Sequence, residues 1–192
     1  MKKKIVVVLV APIAGGKGVV SNNFAKRGFA TFSLSDHLRK ECKKRKLKPK
    51  TETLRIIGNG LRKKYGASVL AKKTSILIDK TKAEMTVVDG IRNPNELLYF
   101  QQKYHTYVLG IKSSFGIRFQ RHLNYRKRKS IQKEFLRFQK INSAESGINQ
   151  GAHGLQINAC LNLVDEIINN EDDMKSLEKQ IDEIIKKLQT QN

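Results

Sequence analysis

Two hydrophobic rhythms alternate along this chain. Residues 4–10, KIVVVLV, are β-branched and apolar without interruption after the lysine, the pattern of a strand covered on both faces. A glycine-rich turn follows. Residues 18–28, GVVSNNFAKRG, then place Val19, Val20, Phe24 and Ala25 at helical spacing, with Gly28 as the expected terminator. Residues 29–34, FATFSL, predict a second short strand. Ser35 and Asp36 read as the N-cap pair of a basic helix over 35–46. After Pro49, residues 51–82 read as two helices broken near Gly66. Residues 84–90, EMTVVDG, predict a third strand, 93–104 a helix with Pro94 in its first turn, and 105–114 a fourth strand. Residues 115–130 read as a basic helix or helix-loop, 131–142 as another helix and 143–156 as a glycine-rich loop. A fifth strand falls within 162–170. Residues 173–188 form an amphipathic helix, with Leu177, Ile181, Ile184, Ile185 and Leu188 as a packing stripe.

Strand and helix alternating over the whole chain predict an α/β fold with a doubly wound parallel sheet in one domain. Ligands of such sheets bind outside the carboxyl ends of the strands. The glycine turn, Asp36 and Asp89 all fall at such ends.

The turn, APIAGGKGVV (11–20), approaches the phosphate-binding loop pattern of Gly, four residues, Gly, Lys, and Ser or Thr. Gly16 and Lys17 match; Ala11 and Gly18 depart. Backbone N–H groups between a strand and a helix N-terminus cradle anions, and Lys17 can meet the outer phosphates. Ala11 is harmless if its φ is negative and costly if a positive φ is required. A tight turn without ligand is the alternative. In VVDGIR (87–92), Asp89 can hold Mg²⁺ through water, and Arg92 can face a phosphate; an ordinary strand-end turn is the other reading. Arg118, Arg121, Arg126 and Arg128 lie close together in sequence, with Arg118 and Arg121 on one helix face. Such arginines can close over a transferring phosphoryl group, form a solvated face or bind nucleic acid.

Charge sharpens this picture. Lys and Arg number 38 against 17 Asp and Glu, a net +21, which favours nucleotides, nucleic acid or an anionic surface as partners. An AT-rich genome would also enrich lysine, and composition alone does not separate the two causes. Cys42 and Cys160 form no CxxC pair, so neither a disulfide framework nor a zinc site is expected, and a reduced, cytoplasmic location is. The histidines show no metal spacing. The apolar run Ile5 to Val10 is too short for a signal peptide, and no segment approaches the roughly 18 apolar residues of a membrane span.

Together APIAGGKGVV, SLSDHLR (33–39), GNGLRKKYGASVLAKK (58–73), DGIR (89–92) and VDEIINN (164–170) resemble the P-loop nucleoside-monophosphate kinases. The likeness is greatest to archaeal nucleotide kinase-like proteins related to dephospho-CoA kinase and adenylate kinase. In the adenylate kinase form Gly follows the lysine, as Gly18 does here. The resemblance implies a three-layer P-loop NTPase sandwich, with a sheet of about five parallel strands. An acceptor-binding helical insert would span about 36–83, and a helical lid about 115–145. It implies ATP with Mg²⁺ as cofactors, bound by Ala14, Gly15, Gly16, Lys17, Gly18, Val19 and, near the adenine, Asn169. Asp36, Arg39, Arg62, Tyr65 and Arg92 would bind the acceptor, a nucleoside or deoxynucleoside monophosphate or a relative such as dephospho-CoA. Lys17, Arg92, Arg118, Arg121 and Asp89 would carry catalysis, Asp89 through a water on Mg²⁺. The family's acidic pair after the lid is Asn142 and Glu145 here, in NSAE. Three functions stay open: an active nucleotide kinase, a nucleotide-binding protein that docks on RNA or a ribonucleoprotein, and a P-loop protein that binds without transfer.

Overall fold

The computed structural model describes residues 4–126 and 130–190, with Tyr125 and Arg126 described by backbone only. Five strands form the sheet: β1 (Ile5–Val10), β2 (Ala30–Ser33), β3 (Met85–Asp89), β4 (His105–Lys112) and β5 (Glu166–Asn169). All pair in parallel, in the order β2-β3-β1-β4-β5. Nine helices lie among the described residues. They are α1 (Lys17–Lys26), α2 (Leu34–Lys44), α3 (Thr51–Tyr65), α4 (Val69–Lys80), α5 (Pro94–Lys103), α6 (Phe115–Arg126), α7 (Ile131–Ser146), α8 (Ile157–Leu161) and α9 (Met174–Thr190). None is long and apolar enough to cross a membrane.

The uninterrupted apolar run of β1 is explained by its central place. Ile5, Val7 and Leu9 pack with Val20 and Phe24 of α1 and with the α9 stripe. Val6, Val8 and Val10 pack on the other face with Leu38, Leu70, Leu97 and Phe100, from α2, α4 and α5. The sheet is therefore a middle layer between two layers of helices.

Gly28 ends α1 as expected. It takes φ 88° just past the helix, donating to Ala25 O, while Phe29 N bonds Phe24 O. The Phe24 and Phe29 rings meet edge-on at 5.0 Å, completing the hydrophobic contact of this cap. Gly66 separates α3 from α4 as expected, with φ 94°.

Three local expectations are corrected. The N-cap of α2 is Ser33, not Ser35, and Asp36 lies inside the first turn. The seventh helix continues to Ser146 rather than stopping at 142, because no helix breaker occurs before Gly147, which takes φ 112°. A short helix, α8, opens just after the expected loop, and β5 occupies only four residues of its window. The extension of α7 places Asn142 and Glu145 one turn apart on the same helix.

Candidate functional site

The phosphate loop lies between β1 and α1. Ala11 is fully buried among the apolar side chains under β1, and it is not among the residues of positive φ. The first departure from the loop pattern is therefore a packing choice without backbone strain. The turn tightens through Gly15 N donating to Pro12 O at 3.0 Å. Ala14 takes φ 56°, and Gly16, the N-cap of α1, takes φ 93°. Gly18 is exposed with open space around it, and Val19 is 39% exposed. Packing does not demand glycine at 18.

Gly16 is different. A Cβ there would stand 2.0 Å from Asn170 Nδ2. That amide is buried and donates to Gly15 O at 3.0 Å. Gly16→Ala combines left-handed strain with a clash, and is expected to destabilise the fold by about 2–3 kcal/mol. Urea unfolding checks this. Wild-type stability in the variant would mean that Asn170 can step aside without penalty.

Four sequence-predicted cations converge on the loop. Lys17 Nζ donates to Ala11 O at 3.2 Å, and Arg92 Nη1 donates to the same oxygen at 3.3 Å. Arg118 Nη1 donates to Ile13 O at 3.2 Å and to Asn142 Oδ1 at 2.7 Å. Arg121 donates to Ser113 Oγ at 3.1 Å and to Asn170 O at 2.8 Å. Glu145 is buried in their midst, with Oε2 3.2 Å from Arg92 Nη1. That oxygen accepts no hydrogen bond among the described residues. The side chain of Arg126 and all of Arg128 lie outside the described residues.

This crowding of positive charge has a titration consequence. Burial, then the neighbouring Arg92, pulls the Lys17 ammonium from its ordinary 10.5 down to about 7; Glu145 and Asp89 oppose the shift. The folded state thus holds fewer protons than the unfolded chain between those values. Stability contributed by this group rises with pH from about 7 towards 10.5. If a polyphosphate binds beside Lys17 it restores the charge, and binding at about pH 8–9 takes up a proton. Calorimetry in buffers of different ionisation enthalpy reads that uptake, and Lys17→Met abolishes it. Equal heats in both buffers for the wild type would contradict the shift.

A cavity of about 850 Å³ opens from the loop. Ala14 and Lys17 lie on its wall with Gly90 and Arg92, and Arg39, Arg55, Arg62, Arg137 and Lys140 line the rest beside Leu38, Leu54 and Leu136. Two carboxylates, Glu52 and Glu145, also line it. Asp89 ends β3 and acts electrostatically on Lys17. Gly90, at φ 85°, lets this strand end approach the start of α2, where a Cβ would lie 3.1 Å from Ser35 Oγ.

The sequence-predicted acceptor residues do not all meet at this cavity. Arg39 and Arg92 do. Asp36 pairs with Arg39 at 2.8 Å on the surface and lines a smaller pocket with His37 and Thr74. Arg62 reaches the cavity wall, but it is 1% exposed and bound to Glu96 Oε1 at 2.8 Å. Tyr65 is 55% exposed, with Lys64 over its ring, and does not line the cavity. Asn169 is exposed, its backbone tied to Gln180. Its neighbour Asn170 is the residue that reaches the phosphate loop.

Sequence reasoning missed Asn170 and Glu96. Nothing in NN (169–170) distinguishes the two asparagines; strand alternation decides which is buried. Glu96 did carry a signal. Asn-Pro-Asn-Glu (93–96) spells an N-cap with Pro at the first helical position and Glu at the third. Glu96 is fully buried, and its Oε2 accepts from Arg92 N at 2.9 Å and Asn93 N at 3.2 Å.

No protein-family model matches the chain. It is 30% identical over 186 residues to a UPF0200 protein of Methanothermobacter thermautotrophicus, covering 96% of this chain and 91% of that one. Among solved structures it is similar to TT1252 from Thermus thermophilus, with TM-score 0.62 and 11% identity over 98% of this chain and 99% of that one. It is also similar to a shikimate kinase from Bacteroides thetaiotaomicron, with TM-score 0.56 and 10% identity over 96% and 98% of the two chains. The five-stranded parallel sheet flanked by helices thus matches a P-loop kinase-like fold, and the near full-length sequence match shows that this chain belongs to the UPF0200 family.

Proposed function

We propose that this protein is an ATP-dependent phosphotransferase of the nucleotide-kinase type. The γ-phosphoryl group would move to a nucleoside or deoxynucleoside monophosphate, or to a related nucleotide such as dephospho-CoA. The observation carrying this reading is the 850 Å³ cavity that begins at Lys17 and continues between Arg39, Arg55 and Arg92. A phosphate loop alone can serve hydrolysis or binding. A loop that opens directly into a long cation-lined cavity suits transfer between two anions.

The residues present fit the group they would hold. Gly16 leaves the loop bare where any side chain would meet Asn170, and α1 begins just after it, at Lys17, so the helix dipole would favour an anion there. Among the described residues no set of three His, Cys, Asp or Glu side chains is placed to ligate a metal. Mg²⁺ keeps its waters and is held mainly by phosphate oxygens, and Asp89 would be its water-mediated protein partner. When bound, Mg·ATP supplies the transferable phosphoryl group.

The chain's own contribution is positioning and charge. Lys17 holds the outer phosphates of the donor. Arg39 and Arg92 hold the acceptor's phosphate. Arg118 and Arg121, on the lid helix α6, face the loop from the other side and stabilise charge as it spreads over the moving group. Asn142 and Glu145 of α7 hold Arg118 and Arg92 at 2.7 Å and 3.2 Å. Glu145 also lowers the repulsion among three neighbouring cations. A glutamine at 145 keeps the shape and removes that counter-charge.

The test is a coupled assay for ADP formation across the common monophosphates and dephospho-CoA, in wild type and Lys17→Ala. Acceptor-dependent turnover lost in the variant supports the reading. No turnover with any acceptor, together with ATP binding by calorimetry, selects a protein that binds without transfer. No ATP binding removes both.

A further inference from the structure

Helices α2, α3 and α4, inserted between β2 and β3, carry charge that phosphoryl transfer does not use. Residues 36–82 hold 16 Lys and Arg against 4 Asp and Glu. The remaining 145 residues hold 22 against 13. More than half of the net +21 therefore sits in a quarter of the chain. A genome-wide drift towards lysine would spread the excess evenly, so this segregation belongs to the protein.

Of this segment's described cations, the cavity takes Arg39, Arg55 and Arg62. Lys40, Lys43, Lys44, Lys48, Lys50 and Lys73 are exposed to solvent. None of these six makes an ion pair among the described residues. The fold brings Lys40 and Lys44 of α2 near Lys73 of α4. Lys40 of α2 and Lys73 of α4 both act on His37, and Lys44 and Lys73 both act on Glu41.

The backbone between α2 and α3 bears on the same point. Lys46 N bonds Lys43 O and Leu47 N bonds Cys42 O, the two bonds of a glycine-type helix cap. The left-handed position is occupied by Lys46, at φ 54°. A non-glycine residue there carries strain, and such strain is retained where the side chain has a use.

We propose that this face binds the phosphate backbone of a double-helical nucleic acid. The basic track runs along α2, about 16 Å long, and on through the connection at 45–50. That length exceeds what a small phosphate ligand engages and suits a run of phosphates. Lysine predominates over arginine, which supplies point charges for neutralising phosphate without reading bases. No Phe, Tyr or Trp occurs between Phe32 and Tyr65, so the track lacks the stacking platform that single strands use. The apolar side of α2, Leu34, Leu38 and Cys42, is buried in the core, leaving this helix no apolar face to lay on a lipid surface. The proposal is independent of the acceptor's identity.

Fluorescence anisotropy of the full chain with a labelled 20-base-pair RNA duplex tests it, beside a DNA duplex, a single strand and phosphatidylserine vesicles. Duplex binding should weaken linearly in log K against log salt. Joint substitution Lys43→Glu, Lys44→Glu, Lys48→Glu and Lys50→Glu should weaken it at least about ten-fold and lower the salt slope by about three to four. The Lys→Gln version at the same four positions guards against misfolding and should lose affinity in the same direction. A control set of equal charge change on the opposite helical layer, Lys26→Glu, Lys175→Glu, Lys179→Glu and Lys186→Glu, should bind more tightly than the α2 set. Absence of duplex binding at 50 mM salt, equal losses in both sets, or tighter binding to the single strand or the vesicles would overturn the proposal.

Discussion

Replacing Glu96 by alanine is expected to cost about 3–5 kcal/mol of folding stability, although the side chain itself is assigned no part in the proposed transfer. Glu96 is fully buried, and so is its partner Arg62, at 1% exposure. One carboxylate oxygen accepts from Arg62 Nε at 2.8 Å; the other accepts two backbone N–H groups, of Arg92 and Asn93. Alanine leaves a buried guanidinium whose remaining side-chain partner is Asn59 at 3.4 Å, and leaves two N–H groups without acceptors. The damage spreads, because Asn93 holds the loop after α7 through Ala152 O at 2.8 Å and Gly154 O at 3.0 Å. Urea unfolding measures the loss. Removing both charges, as Arg62→Met with Glu96→Gln, should recover a substantial part, since breaking a buried pair costs more than replacing it. A loss under about 1 kcal/mol in the single variant would mean that water reaches Arg62 and that the pair is not the buried clamp described.

Lys17→Met should separate activity from stability. If the proposed transfer holds, turnover falls on the order of 10²–10³-fold, the effect of removing one aimed charge from a phosphoryl-transfer site. Stability near neutral pH should stay level or rise slightly. Lys17 makes one hydrogen bond among the described residues, to Ala11 O at 3.2 Å, and its charge is opposed by burial and by Arg92. Removing it relieves that repulsion. A coupled assay and a thermal melt on the same preparation decide this. Full turnover in the variant would remove Lys17 from the mechanism. A melting point lowered by several degrees would show that the lysine holds the loop together.

These two residues mark the boundary of what sequence discloses. Lys17 was legible because the loop pattern is local: strand, paired glycines, lysine and helix follow one another within a dozen residues. Gly28 and Gly66 were legible for the same reason, since a helix end is decided by one residue's φ. Arg118 and Arg121 were legible as a pair by their spacing. Glu96 offered its N-cap pattern, but nothing local told that it would meet Arg62, 34 residues earlier.

The sequence by itself determined the alternation of strand and helix, the all-parallel sheet, the central position of a strand apolar on both faces, and the tight glycine-rich turn at its end. Each follows from periodicity or from backbone freedom within a few residues. Tertiary structure alone decided which cations share one chamber. It brought Arg39, Arg92 and Lys17 to a single cavity, left Tyr65 outside it, and spent Arg62 on Glu96. It also decided that Asn170, not Asn169, closes over Gly16. The physical reason is that burial, charge pairing and close approach depend on contacts across 34 to 155 residues of chain. Those distances are set by how the helices pack on the sheet, and no short window of sequence contains them.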